Sequence, residues 1–404
     1  MKRVLFVIDT LGSGGGQKSL VNFLNELDPK ECNFQVDLLL FSKRGIFLSQ
    51  VPSYVNLINT PREIACMFES LGSFSFWRNL CSKGLYGKLK RLIVRREQRR
   101  LHPELNDIQL FWNLWRPLIP DLPGVYDIAI GGLEGTCSYY VMDKVRASRK
   151  VLWFHNNYAD HGYNAAWDRP YFERADKVVT ISDSCLESLE RAFPGLGNKF
   201  CVLGNITSRM CVLKRSREVL PDTHTKGKLN LLTVGRLVPQ KGYDILLEAA
   251  ELIDAANLSN GFVWRIIGDG PLLSDIKRSI EVKGLAGKVE LLGLRENPYP
   301  YIAACDMFVQ TSRYEGKSVV LDEAKALCRP IVVTDYPTAK DSITNGVNGI
   351  ICAMNGNGVA DAVLRLADSD GLKAHLTGTL ESDETPLGST LDDYLTIYFG
   401  DHND

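Results

Sequence analysis

The feature that most constrains this chain is a unit that recurs along it: a short apolar run, a polar tip containing glycine, then a helix-like segment. The clearest copy starts with Asp306-Met307-Phe308-Val309-Gln310, passes through Ser312–Glu323 and continues in a helix-like pattern from Val319 to Cys328. Apolar runs of this length without alternation suit strands buried on both faces of a parallel sheet. Strand, turn and helix in that order put a helix N-terminus over the carboxyl end of a sheet. Unsatisfied backbone N–H groups there attract anions, phosphates foremost. Ser318 is the expected N-cap, and Val319, Val320, Ala324 and Leu327 are expected to face the core. Glu315 then lies in the turn and Glu323 on the first turns of the helix. Two carboxylates flank one anion-ready helix end. Hydroxyl groups want carboxylates and a diphosphate wants a helix N-terminus, so a sugar nucleotide fits this arrangement.

The unit opens the chain as well. Met1-Lys2-Arg3 is followed by Val4-Leu5-Phe6-Val7-Ile8, which Asp9 ends. The basic start imitates a signal peptide, but the apolar run is too short for one, and it reads as a buried strand. After it come Gly12-Ser13-Gly14-Gly15-Gly16-Gln17-Lys18-Ser19 and a helical pattern through Leu20, Val21, Phe23, Leu24 and Leu27. A P-loop needs glycine where Gln17 stands, so that match fails by one residue. A dinucleotide fingerprint wants an acid at the end of the second strand. Here Gln35–Phe41 ends in Ser42-Lys43-Arg44, which suits NADP rather than NAD. A tight turn packing helix on strand is the plain structural alternative.

Further strands are expected at Tyr126–Ile130, at Lys150–Phe154 with the polar tip His155-Asn156-Asn157 and at Lys177–Ser182, and Cys201–Asn205 is read as closing the first domain. Polar clusters at the carboxyl ends of buried strands are where open α/β sheets bind ligands. Arg209–Lys228 turns polar and reads as a linker. Beyond it, Asn230–Val234 ends in Gly235-Arg236, with Lys241-Gly242 close behind. Two cations five residues apart at a strand end can grip a diphosphate, Arg as a fork and Lys as a point charge. Val263–Ile267, Val289–Leu292 and Pro330–Asp335 continue the rhythm, so 230–366 reads as a second doubly wound domain. Asp368-Ser369-Asp370 reads as a solvated turn or helix cap, Gly378–Thr390 as loop, and Leu391–Phe399 as a short amphipathic helix.

Composition narrows the function classes. A net charge of −1 over 404 residues excludes a global affinity for nucleic acid. Ten cysteines without a Cys-x-x-Cys pair, and six histidines, argue against zinc and for a reducing cytoplasm. No stretch is long and apolar enough for a membrane span. Residues 62–118 differ in texture: eleven Lys and Arg against five Asp and Glu give a local charge of +6. Its basic core holds Lys88, Lys90, Arg91, Arg95, Arg96, Arg99 and Arg100, flanked by Phe76, Trp77, Trp112 and Trp115. A basic amphipathic helix beside aromatics reads as a membrane-surface element, or as a solvated helix packed on its domain.

Glu315-Gly316-x-Ser318-x-Val320-x-x-Glu323 resembles the E-x7-E motif of family 4 glycosyltransferases, the glycosyl transferases group 1. Gly235-Arg236-Leu237-x-x-x-Lys241-Gly242 resembles that family's second-domain motif, and Gly268-x-Gly270-Pro271 its Gly-x-Gly-Pro element. Gly14-Gly15-Gly16-Gln17 resembles its Gly-Gly-x-Glu loop, departing at the last residue, and His155 falls where the family has a histidine. The wording around Glu315–Lys325 is similar to enzymes that build bacterial surface polysaccharides.

The resemblance implies an α/β chain of GT-B fold, with two Rossmann-like doubly wound domains facing each other across a cleft. The expected division is an acceptor-binding domain over 1–208, a linker over 209–228, a nucleotide-sugar domain over 229–385, and a tail over 386–404 whose helix crosses back to the first domain. It implies a retaining, metal-independent hexosyltransferase, needing no cofactor, with a UDP-sugar as the expected donor. The acceptor would be a glycan, lipid-linked, in capsule, O-antigen or exopolysaccharide synthesis. The protein would be cytoplasmic or peripheral on the cytoplasmic membrane face, with an anionic membrane surface as a candidate partner. By the same resemblance Glu323 would hold the ribose and Glu315 the donor sugar. Arg236 and Lys241 would stabilise the leaving diphosphate, and His155 would steady the reacting sugar. Gly15, Gly16, Arg295, Asn297, Gly316, Lys317, Ser318 and Val319 complete the donor set. A nucleotide-sugar epimerase on the same fold, an NADP-dependent oxidoreductase and a noncatalytic sugar-nucleotide-binding protein are the alternatives.

Overall fold

The computed structural model describes residues 1–12, 14–28, 33–61, 63–65, 101–218, 224–385 and 387–400. The basic residues Lys88, Lys90, Arg91, Arg95, Arg96, Arg99 and Arg100 lie outside them. The chain divides into two compact units, one drawn from 1–204 and 389–404 and the other comprising Asn205–Gly388.

In the first unit, strands and helices alternate: β1 Lys2–Ile8, α1 Gly15–Glu26, β2 Phe34–Leu40, β3 Asn56–Leu57, α2 Asp107–Trp115, β4 Tyr126–Gly131 and α3 Thr136–Lys144. They continue with β5 Ala147–Phe154, α4 Ala165–Arg174, β6 Lys177–Thr180, α5 Asp183–Ala192 and β7 Phe200–Val202. The seven strands are all parallel, in the order β3-β2-β1-β4-β5-β6-β7. Residues 4–8 of β1 are sealed on both faces, as the unbroken apolar run requires. The order reverses direction between β1 and β4. That topological switch point opens a crevice at the carboxyl ends of the strands, where doubly wound sheets bind ligands.

The second unit repeats the plan with α6 Arg209–Ser216, β8 Leu229–Val234, α7 Tyr243–Ala255, β9 Phe262–Ile267, α8 Leu273–Val282, β10 Val289–Gly293 and α9 Tyr299–Ala304. Then follow β11 Met307–Gln310, α10 Val319–Ala326, β12 Ile331–Thr334, α11 Ala339–Ser342, β13 Ile350–Cys352, α12 Gly356–Ala367 and α13 Asp370–Ser382. Its six parallel strands run β10-β9-β8-β11-β12-β13, with the switch point between β8 and β11. Two stretches differ from the reading of the sequence. Within 209–228, Arg209–Ser216 is helix, started by Ser208 accepting from Cys211 N–H, with Val212 buried. The stretch from Gly378 is not loop at its start, because α13 carries on through it to Ser382. Ser369 caps α13 as expected, accepting from Leu372 N–H.

The last helix, α14 Leu391–Phe399, belongs to the first unit. Thr390 and Asp393 form a capping box that fixes its start. Tyr394 stacks on Phe23 at 5.1 Å, Tyr398 meets Phe6 and Phe23 edge-on, and Phe399 stacks on Phe34 at 4.0 Å. The Tyr398 hydroxyl accepts from Trp153 Nε1 at 2.9 Å, and Arg149 donates to the Ile397 carbonyl. The helix therefore completes an aromatic core rather than trailing from it. Among the described residues no helix is long and apolar enough to cross a membrane. Truncating a buried aromatic typically costs about 3–5 kcal/mol. Tyr398→Ala is therefore expected to lower the unfolding transition of the first unit by that amount in calorimetry and to leave the second unit's transition in place.

Candidate functional site

At the switch point of the second unit, the loop after β8 is laced to the loop after β11. Gly242 has φ +63°, and a Cβ there would lie 2.1 Å from the Thr311 carbonyl oxygen. Only glycine lets the two backbones run this close. Thr311 Oγ1 donates to the Lys241 carbonyl at 2.9 Å, Arg313 N–H to the Gln240 carbonyl at 2.8 Å, and Gln240 Nε2 to the Tyr314 carbonyl at 2.8 Å. Arg313 also grips both carboxylate oxygens of Asp244, which holds that carboxyl below its ordinary pKa. Thr338 Oγ1 donates to the Glu315 carbonyl. The backbone around Glu315 is thus fixed before any ligand arrives.

The joint closes on one ion pair. Lys241 Nζ donates to Glu315 Oε1 at 2.5 Å, with the two side chains 15% and 9% exposed. Ser312 Oγ donates to the same oxygen at 2.6 Å and Gln310 Nε2 reaches it at 3.4 Å. All three bonds converge on Oε1, leaving Oε2 without a donor among the described residues. Ser318 stands at the N-cap position of α10, but its hydroxyl does not cap the helix. It donates to Gln310 Oε1 at 2.7 Å instead. The expected cap is corrected: a competing acceptor on β11 takes the hydroxyl, and the first N–H groups of α10 receive no side-chain cap. The helices after β1, β4 and β8 also start without one, at Gly14, Gly135 and Gly242. Of the other helices, α2, α4, α5, α6, α12, α13 and α14 are capped by Asn, Ser or Thr, and α8, α9 and α11 have no side-chain cap. The helix ends over the two switch points therefore have first-turn amides that no side-chain cap occupies, as an anion site needs.

The remaining second-unit residues diverge. Arg236 is exposed, with no hydrogen bond or ion pair to its guanidinium among the described residues. Lys317 is half-exposed and Gly316 and Val319 are buried. Glu323 is 1% exposed and accepts from the Tyr299 hydroxyl at 3.3 Å. Beside it Asp322 is equally sealed, and burial pushes its carboxyl above the ordinary pKa. Arg295 is spread on its own loop, reaching the Tyr301 hydroxyl and the Leu294 carbonyl. The Asn297 side chain is spent internally: Nδ2 donates to the Arg215 carbonyl and Glu218 Oε2, and Oδ1 accepts from Tyr299 N–H.

The first unit has its own constellation. Gly15 is exposed as the first residue of α1, whereas Gly16 faces inward. A Cβ on Gly16 would lie 2.8 Å from Leu133 Cδ2 and 3.1 Å from His155 Cε1 and Nε2, so this glycine lets α1 settle on the imidazole. The His155 ring stacks on Trp153 at 4.9 Å, and its Nε2 lies 3.0 Å from the Gly132 carbonyl. A carbonyl only accepts, so Nε2 carries the proton. His155 Nδ1 is buried with no partner among the described residues. Burial holds the imidazole pKa below its ordinary value, which keeps it uncharged at neutral pH. Gln17 Nε2 donates to Asp9 Oδ1 at 3.4 Å, so the residue that departs from the family loop turns back to the end of β1.

Sequence reasoning missed Glu134, which accepts from His155 N–H and Asn156 Nδ2, and Gln310, the relay between Ser318 and Glu315. A signal for the first was available. Glu134-Gly135 follows the β4 run as Glu315-Gly316 follows β11.

Residues 228–369 match the family model described as glycosyl transferases group 1. The chain carries a glycosyl transferases group 1 domain. Among curated relatives it is 29% identical to the N-acetylgalactosamine-N,N'-diacetylbacillosaminyl-diphospho-undecaprenol 4-alpha-N-acetylgalactosaminyltransferase of Campylobacter jejuni, over 50% of this chain and 53% of that protein. It is 31% identical to the UDP-Gal:alpha-D-GlcNAc-diphosphoundecaprenol alpha-1,3-galactosyltransferase of Escherichia coli, over 33% of this chain and 35% of that one. The alignments span 29–60% of the length of the first five curated relatives. The Anabaena Alr3699/HepE structure in complex with UDP and glucose superposes with a TM-score of 0.66, at 16% identity, covering 95% of this chain and 94% of that one. The fold is GT-B, with two Rossmann-like units. The group 1 domain contains β8 to α12 and with them Arg236, Lys241, Glu315 and Glu323.

Breaking a nearly buried ion pair typically costs about 3–5 kcal/mol, because one charge is left unpaired in a dry place. Lys241→Met is expected to destabilise the second unit by about that much in urea unfolding. Adding Glu315→Gln is expected to restore most of the loss, since a neutral amide can still accept from Ser312. A double variant no more stable than Lys241→Met would show that the pair contributes through something other than charge.

Proposed function

We propose that this protein is a retaining, metal-independent glycosyltransferase that moves a sugar from a nucleoside diphosphate donor, a UDP-sugar first among candidates, to a glycan acceptor. The observation that carries the reading is the Lys241–Glu315 pair at the β8/β11 switch point, beside the unpartnered Arg236 and the uncapped start of α10. Cations and free amides suit a diphosphate; a carboxylate with one oxygen open suits sugar hydroxyls.

In this reaction the acceptor hydroxyl oxygen bonds to the anomeric carbon as the bond from that carbon to the β-phosphate oxygen breaks. The hydroxyl proton passes to the departing phosphate. Negative charge grows on the diphosphate as the bond breaks, and Arg236, Lys241 and the amides of Lys317, Ser318 and Val319 stabilise it there, in the role a metal fills elsewhere. Glu315 orients the donor sugar. Glu323 takes the ribose. His155, uncharged and held by Gly132, steadies the transferring sugar with Gly15 and Gly16 beside it. Arg295 and Asn297 serve through the backbone of their loop, since the Asn297 side chain is occupied.

The named activities of the Campylobacter and Escherichia relatives, on diphospho-undecaprenol acceptors, support a lipid-linked glycan acceptor, and the proposal sets the reaction in bacterial surface polysaccharide synthesis at the cytoplasmic membrane face. An oxidoreductase using Gly12–Gly16 with Lys43 and Arg44 would leave the second-unit cations and carboxylates without a shared purpose, whereas an epimerase or a noncatalytic binder would use them too and differs from a transferase in needing no acceptor or in giving no turnover.

The test is thermal unfolding with UDP, GDP, ADP, CMP and NADP. A ligand at 100 times its dissociation constant adds about 2.7 kcal/mol. One nucleoside diphosphate is expected to raise the second unit's transition, with the rise lost in Glu323→Ala, and its sugar conjugates should release nucleotide when a polyprenyl-diphosphate sugar is added. Stabilisation by NADP alone would overturn the reading.

A further inference from the structure

The switch point of the first unit carries a carboxylate with no assigned role. Glu134 sits just beyond β4, next to the crevice that the β1/β4 reversal opens. Its loop is pinned on both sides. Gly132 N–H donates to the Val7 carbonyl at 2.8 Å, and Ser138 Oγ to the Leu133 carbonyl at 2.8 Å. The carboxylate is oriented too: Oε2 accepts from His155 N–H at 3.0 Å and Oε1 from Asn156 Nδ2 at 2.5 Å. The residue is half-exposed.

The charge around it selects the ligand class. Neither Glu134 nor Asp9, at the end of the neighbouring β1, forms an ion pair among the described residues. Asp9 is pushed above its ordinary pKa by burial, with a smaller push from the Glu134 charge. Lys43 and Arg44 follow β2, with β1 between them and β4, so the groups beside Glu134 are carboxylates with no cation paired to them, which disfavours a diphosphate. They favour a neutral polyol whose hydroxyls donate to a carboxylate that still has lone pairs to offer. His155, whose N–H holds Glu134, also has a buried Nδ1 with no partner among the described residues. The second unit's switch point presents the opposite, Arg236 and Lys241.

We propose that Glu134, oriented by His155 N–H and Asn156, is the hydroxyl-binding carboxylate for the acceptor sugar on the first unit. The inference rests on the glycosyltransferase reading and names the part of the site that selects the acceptor. Glu134 is not asked to take the proton; it fixes which hydroxyl is presented, while Asn156 fixes Glu134.

Saturation-transfer NMR on the full chain tests it, with UDP present and methyl α- and β-glycosides of glucose, galactose, N-acetylglucosamine and N-acetylgalactosamine as probes. The wild type is expected to bind at least one glycoside. Glu134→Ala should weaken it tenfold or more while UDP affinity stays within twofold. Glu134→Gln, which keeps the shape and one acceptor oxygen, should fall between, and it serves if the alanine variant does not fold. Unchanged glycoside affinity in both variants, or no glycoside bound by the UDP-loaded wild type, overturns the assignment. So does a loss of UDP affinity in Glu134→Ala, which would place the residue on the donor. Failure of the wild type to bind UDP would instead bring down the underlying reading, and this assignment with it.

Discussion

The contact on which the second unit's site depends is the ion pair between Lys241 and Glu315. It joins the two loops that leave the sheet on either side of the strand reversal, and it is nearly dry. Such a pair repays its desolvation only when its geometry is good and its remaining bonding capacity is met. The surrounding residues meet those terms. Ser312 and Gln310 add donors to the same carboxylate oxygen, and Thr338 holds the backbone beneath. Gly242 lets the cation's loop lie against Thr311. In the proposed reaction the diphosphate competes for Lys241, so the pair that holds the two loops together is the one the ligand exchanges.

The two units solve one packing problem and diverge in charge. Each is a parallel sheet buried on both faces, each reverses its strand order once, and each starts the flanking helices on residues that leave the first amides uncapped. On the second unit the loops bring Arg236 and Lys241. On the first they bring Asp9, Glu134 and an imidazole held neutral by burial. The proposed division of labour between a diphosphate and a polyol rests on that difference, not on the fold, which is shared.

Much of this was legible in the sequence. Apolar runs located the strands because a parallel sheet covered by helices leaves them no wet face. Leu391–Phe399 was legible as a helix because Leu391, Tyr394, Leu395 and Tyr398 recur at amphipathic spacing. What was not legible depends on contacts distant along the chain. Ser318 reads as a cap until Gln310, eight residues earlier, is seen to take its hydroxyl. Asn297 reads as a donor contact until Arg215 and Glu218 occupy its side chain. Glu134 carries no spacing motif of its own, and only the folded sheet sets it beside His155. Gly378 and its threonine neighbours read as loop because their helix propensity is poor, but Leu376 and Leu380 bury their side chains and keep α13 intact.

The central claim is that Glu315 reads the donor sugar while Lys241 and Arg236 hold the diphosphate. The most direct measurement is calorimetric titration of wild type and Glu315→Gln with a nucleoside diphosphate and with its sugar conjugate. The account expects the substitution to weaken the conjugate by tenfold or more relative to the free diphosphate. Equal loss for both ligands, or none for either, would contradict it.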